Sequence, residues 1–149
     1  MTTVRENYIQ TLRLLEDTSP IKYYDNVQLT TLASSSRLGS KFNICDTWDL
    51  FEPDTKKPYS ILNTDDSSSS GTHWVAVYQS KRRLYVYDSF ARTSRLMKPF
   101  VEKMKGLGLS VVFVNRKKEQ AEEQLNCGLR SLLWLIFVAK YGIQKARTI

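Results

Sequence analysis

At 149 residues, with 42% apolar and 11% aromatic side chains, the chain suits one domain with a sizeable core; its composition excludes general disorder and its length excludes two domains. Two cysteines, Cys45 and Cys127, are too few for a disulfide scaffold and predict free thiols in a reducing, intracellular setting. No apolar run reaches membrane-spanning length, the first residues lack the apolar stretch of an export signal, and the net charge of +7 is uneven, with 7 basic against 10 acidic side chains in residues 1–80 and 15 against 5 in residues 81–149.

In chain order, residues 3–16 predict an amphipathic helix: Val4, Tyr8, Leu12 and Leu15 share a face, with Ile9 beside them. Thr2 or Thr3 caps it, Glu6 completing a capping box with Thr3, and Asp17 to Pro20 ends it. Residues 27–32 read as a short helix or a strand, Ser34–Ser36 and Gly39–Ser40 as loops, and Phe42–Cys45 as a short strand. Trp48, Leu50 and Phe51 are expected to plug the edge of the core; Pro53–Pro58 is a turn and Tyr59–Leu62 a strand. Residues 64–71 form a Ser-rich loop, either the border of a cleft or a linker.

Residues 73–79 and 84–88 predict an antiparallel hairpin turning through Ser80–Arg83. A helix follows from Thr93 or Ser94 to about Lys105, with Leu96, Phe100, Met104 and Leu107 as its apolar stripe. Pro99 argues for a shorter helix with the proline in its first turn, and Gly106 and Gly108 end it. Leu109–Val114 reads as a central strand, Asn115–Asn126 as a loop, residues 127–140 as a buried helix, and Lys145–Ile149 as a frayed end. The fold class expected is α+β: a mixed, mainly antiparallel sheet packed against the helix that begins at Cys127, in a single domain spanning residues 1–149.

The chemistry concentrates at that helix start. A thiol there meets unpaired N–H groups and the positive end of the helix dipole, which favour thiolate, the nucleophilic form. Gly128 is expected to let a substrate backbone approach. A cysteine nucleophile needs a base, and the chain has one histidine, His73, at the head of an alternating strand. The adjoining strand closes on Asp88, a carboxylate able to orient the imidazole. Gln120 or Gln124, before the cysteine, can donate to an oxyanion with the Cys127 N–H; one such donor contributes ~3–4 kcal/mol to catalysis. Singly, each residue has a plainer reading: a packed cysteine, a structural histidine, a turn-forming aspartate, a solvated glutamine. Their order and placement make the set coherent.

Gly71-Thr72-His73-Trp74-Val75-Ala76-Val77-Tyr78, Val86-Tyr87-Asp88 and Gln120 followed by Asn126-Cys127-Gly128-Leu129 resemble the adenovirus-type maturation proteases and the related SUMO-type ubiquitin-like-protein peptidases. The resemblance spans roughly residues 40–140. It implies a papain-like variant fold of adenain type, His73 as base, Asp88 as its orienter, Cys127 as nucleophile and Gln120, at the viral-like spacing, as oxyanion donor. Trp74 would lie beside the cleft, where it either contacts substrate or packs in the core, and Cys45 is read as structural.

A compact enzyme of a virophage or adenovirus-like virus is implied, acting in the virion and the host cell interior, not secreted. Its substrates would be viral capsid or core precursors, cut near small residues such as Gly-Gly. The resemblance implies no required metal or cofactor and no membrane partner; nucleic acid or a peptide could activate it, DNA through the basic half. That half, with Lys81, Arg82, Arg83, Arg92, Arg95, Lys98, Lys103, Lys105 and Arg116–Lys118, is otherwise a set of solvated turns and helix faces, and it carries no recognised nucleic-acid motif. The alternatives are a peptidase that removes a ubiquitin-like modifier, and a non-catalytic module that binds capsid or nucleic acid.

Overall fold

The structure, a computed structural model, describes residues 2–18, 23–65, 73–89, 97–114 and 126–149. Among these the fold is α+β. Helices α1 (Val4–Thr18) and α2 (Asn26–Ser35) lead into strands β1 (Phe42–Thr47), β2 (Tyr59–Asn63), β3 (Trp74–Ser80) and β4 (Arg83–Tyr87). Helix α3 (Lys98–Gly106), strand β5 (Ser110–Phe113), the long helix α4 (Cys127–Tyr141) and the short α5 (Ile143–Ala146) follow.

Both N-terminal helices start on capping boxes. In α1 the Thr3 hydroxyl accepts from Glu6 N at 3.1 Å and Glu6 reaches back to Thr3 N at 3.4 Å. In α2 Asp25 accepts from Gln28 N at 2.8 Å and Gln28 accepts from Asp25 N at 2.9 Å. That second box resolves residues 27–32 as helix and carries it through Ser34 and Ser35, which read as loop in the sequence. Lys98 and Pro99 open α3: the proline ring fits the first turn, where no N–H is needed, so the shorter helix forms.

The described strands form one sheet in the order β1-β2-β3-β4-β5. Pairs β2–β3 and β3–β4 are antiparallel, β1–β2 and β4–β5 parallel, so the sheet is mixed in equal parts rather than mainly antiparallel. β3 is central and nearly all buried, so its residues from Trp74 to Val77 are apolar on both faces rather than alternating as expected from the sequence. The expectation that residues 109–114 form a central strand is corrected: β5 pairs with β4 on one side only, among the described residues, and its side chains are half-buried. Its apolar residues are needed because both its faces are covered. Val112 and Val114 pack on one core and Val111 and Phe113 on the other.

Those cores lie on the two sides of the sheet. Ile61, Trp74, Ala76, Tyr85 and Tyr87 meet α1, α2 and α4, while Leu62, Val75, Val77, Leu84 and Val86 meet α3 through Met97, Phe100 and Met104. Phe51 joins the second core, but Leu50 is exposed rather than part of the plug. Leu107 likewise leaves the α3 stripe for solvent, because the helix has ended at Gly106. The C-terminus is not frayed: Ala146 and Ile149 are buried, and the Trp134 indole donates to Ala146 O at 3.1 Å. The expected loops over residues 66–71 and 115–125 and the 93–96 helix start lie outside the described residues.

Candidate active site

The β3–β4 hairpin assembles the first half of the site. Its register pairs Ala76 with Tyr87 and Val77 with Val86. His73 and Asp88 lie just beyond the paired stretch at the same end of the hairpin, one residue before β3 and one residue after β4. Asp88 Oδ1 accepts a hydrogen bond from His73 Nε2, with both groups buried. The end of β4 is itself fixed: Tyr87 stacks on Trp134 of α4 at a 5.3 Å centroid distance, and its hydroxyl bonds that of Tyr8 at 2.9 Å.

Helix α4 brings the second half. Its apolar surface is buried along nearly its whole length, so packing against β3 sets where its first residue falls. The Trp74 N–H points at Cys127 Sγ at 3.4 Å. Ser131, one turn along, has its hydroxyl 2.8 Å from Cys127 O and 3.3 Å from Trp74 O, which fastens that turn to the strand. The structure therefore brings together three of the residues expected from sequence, His73, Asp88 and Cys127. Gln120 and its rival Gln124 lie outside the described residues.

His73 has its proton affinity pushed up, to about 9 from an ordinary 6.5. Burial works against the charged ring. Hydrogen bonds and charge from Asp88 and from Cys127 outweigh it. Asp88 engages Nε2 of the ring. At 4% exposure for each of His73 and Cys127, little water screens these charges. The Cys45 thiol is pushed up first by its own burial, then by Asp46 and Asp25, so it stays protonated.

Two expected substrate contacts are used internally. A Cβ on Gly128 would stand 2.9 Å from Leu29 Cδ1 and 3.2 Å from Trp74 Cδ1. The glycine thus admits a leucine of α2 and the tryptophan, where a substrate backbone was expected. Trp74 is buried, and its indole donates to Tyr24 O at 3.1 Å. This ties the residues before α2 to the site and puts Tyr23 beside it. The Tyr23 hydroxyl is pushed up by burial and then by the Cys127 sulfur, against a hydrogen bond with the Trp74 indole. Tyr23 is exposed, an aromatic contact that sequence reasoning missed for want of any local pattern. Ser131, Asn126 and Arg130 were missed too; they follow from the i, i+4 geometry of a helix started at Asn126.

Among the described residues no cluster of three or more His, Cys, Asp or Glu side chains could hold a metal ion, and no helix is long and apolar enough to cross a membrane. Scanned against protein-family models the chain matches none, and a search of curated proteins finds no similar sequence.

Proposed function

We propose that this protein is a cysteine endopeptidase of the adenovirus maturation type, which cuts viral capsid or core precursors near small residues. One observation carries the reading: a single imidazole bonded to a buried carboxylate and influenced by a cysteine that opens an apolar helix. The α+β frame, with that helix packed on a mixed sheet, is compatible with the adenain-type fold.

The chemistry follows from the groups. His73 Nδ1 takes the thiol proton, and Asp88 steadies the resulting imidazolium through Nε2. The sulfur adds to the scissile carbonyl carbon, and the carbonyl electron pair moves onto oxygen. The Cys127 N–H and, by resemblance, Gln120 donate to that oxyanion. Collapse expels the amine, which takes the proton from His73 and leaves a thioester on Cys127. Water, deprotonated by His73, then cleaves the thioester and restores the thiol.

The test mixes enzyme with capsid precursor and sequences any new N-termini. Wild type cuts and Cys127→Ala does not. Far faster turnover of a modifier-tail fluorogenic peptide would move the reading to deconjugation, and no thiol-dependent cleavage of either would end it. The hairpin tip, where Lys81, Arg82 and Arg83 are exposed at the end opposite His73 and Asp88, is the proposed DNA contact.

A further inference from the structure

Asn126 occupies the N-cap position of α4, where an asparagine side chain ordinarily accepts from a first-turn N–H. Here it makes no capping bond. Its Nδ2 donates to Glu16 Oε1 of α1 at 2.7 Å, and its Oδ1 accepts from Arg130 Nε at 3.1 Å. Both ends of the amide are held by charged partners, whose hydrogen bonds are shorter and stronger than neutral ones. Arg130 is buried, so the clamp is set into the fold. One carboxylate and one guanidinium also balance, so the clamp brings no net charge to the nucleophile.

The Asn126 backbone matters as well. Its carbonyl accepts from Arg130 N at 2.9 Å and so points along the helix. In a planar trans peptide the N–H of the next residue, Cys127, points the opposite way, out of the helix start. Asn126 therefore controls the aim of the Cys127 N–H.

We propose that Asn126, clamped between Glu16 and Arg130, is a positioning residue that holds the peptide joining it to Cys127, so that the Cys127 N–H stays aimed out of the α4 start for the oxyanion. This rests on the cysteine-peptidase reading. It concerns oxyanion stabilisation and leaves activation of the thiol to His73.

The test compares wild type with Asn126→Ser, which removes the amide that Glu16 and Arg130 hold, and with Glu16→Ala and Glu16→Gln. Four quantities are read: kcat and KM on a Gly-Gly coumarin amide, affinity for the matching Gly-Gly peptide aldehyde, and the rate of Cys127 alkylation by iodoacetamide. The aldehyde reports on the oxyanion site: sulfur adds to its carbonyl carbon, the thiol proton ends on the oxygen, and nothing leaves. Asn126→Ser is expected to lower kcat about tenfold at unchanged KM, the sign of an interaction made only in the transition state. Aldehyde affinity falls by the same factor, while alkylation stays within about twofold, because displacement at an alkyl carbon makes no oxyanion.

Glu16→Ala shows a smaller loss of the same pattern, and Glu16→Gln, which keeps an acceptor oxygen, stays near wild type. Should Asn126→Ser fold poorly, that Glu16 pair carries the comparison. Wild-type kcat and aldehyde affinity in both Asn126→Ser and Glu16→Ala would overturn the proposal, as would alkylation falling in step with kcat. A wild-type protein that binds no aldehyde and cleaves no amide would instead remove the peptidase reading beneath it.

Discussion

The backbone N–H of Trp74 points at the sulfur of Cys127 at 3.4 Å, so the residue that follows the candidate base also holds the candidate nucleophile. His73 and Trp74 are adjacent, which makes the distance between imidazole and sulfur a property of one strand and one helix start. Replacing either reacting group should remove the chemistry and leave this frame intact. Cys127→Ala and His73→Ala are each expected to lower cleavage of a Gly-Gly peptide by at least about 10³-fold, with near-wild-type circular dichroism. Retained cleavage in Cys127→Ala would show that the sulfur is not the nucleophile.

Asp88→Asn tests the orienting role and gives a pH signature. The proton affinity of His73 is raised on folding, from 6.5 to about 9, so the folded state holds its proton more tightly than the unfolded state. That stabilisation is fully present below about pH 6.5 and is lost as pH rises through about 9, up to ~3 kcal/mol for a shift of this size. Wild type should therefore lose melting temperature between pH 6.5 and 9 more steeply than Asp88→Asn, and the variant should lose most of its activity. Parallel stability curves would contradict the ion pair.

Gly128 is expected to be intolerant for a packing reason. Gly128→Ala puts a methyl 2.9 Å from Leu29 Cδ1 and 3.2 Å from Trp74, an overpacking that typically costs about 1–3 kcal/mol. Chemical denaturation measures this. Leu29→Ala in the same chain opens the space, so the double variant should be more stable than the two single losses added together. Strict additivity would place the constraint elsewhere.

Much of this site was legible in the sequence because its signals are local. Histidine at a strand head, aspartate at the next strand end and cysteine before an apolar run need only the hairpin period and a helix start to be read. Features set by long-range contacts were not legible. The apolar run 109–114 reads as central, yet β5 has a neighbour only at β4 among the described residues, and its valines and phenylalanine are apolar because they pack, half-buried, on the cores at both faces of the sheet. Gly128 reads as an opening for substrate, and only the approach of Leu29, 99 positions earlier, shows what fills it. Asn126 reads as the last residue of a loop until Glu16, from the first helix, is seen on its amide. The C-terminal residues look frayed in sequence, with nothing to announce that Trp134 donates to Ala146.

The basic hairpin tip supports a polyanion response. Lys81, Arg82 and Arg83 are exposed, and Lys103 is already drawn to the carbonyls of Asp49 and Phe51. Duplex DNA is expected to raise peptide cleavage at low salt, with the effect fading as salt rises through counterion release. Lys81→Gln with Arg83→Gln should flatten that salt dependence and leave the DNA-free rate unchanged. Equal rates with and without DNA at low salt would count against a nucleic-acid role for this surface.

The account rests on a proton shared between one sulfur and one imidazole, and Cys127 alkylation by iodoacetamide at pH 6, followed by mass spectrometry in wild type and His73→Ala, tests it most directly. In the proposed mechanism His73 takes the Cys127 proton, so wild type should be modified at Cys127 with the buried Cys45 untouched, and loss of His73 should slow the reaction about 100-fold. Equal rates in the two proteins, or a wild-type Cys127 no faster than free cysteine, would contradict the account.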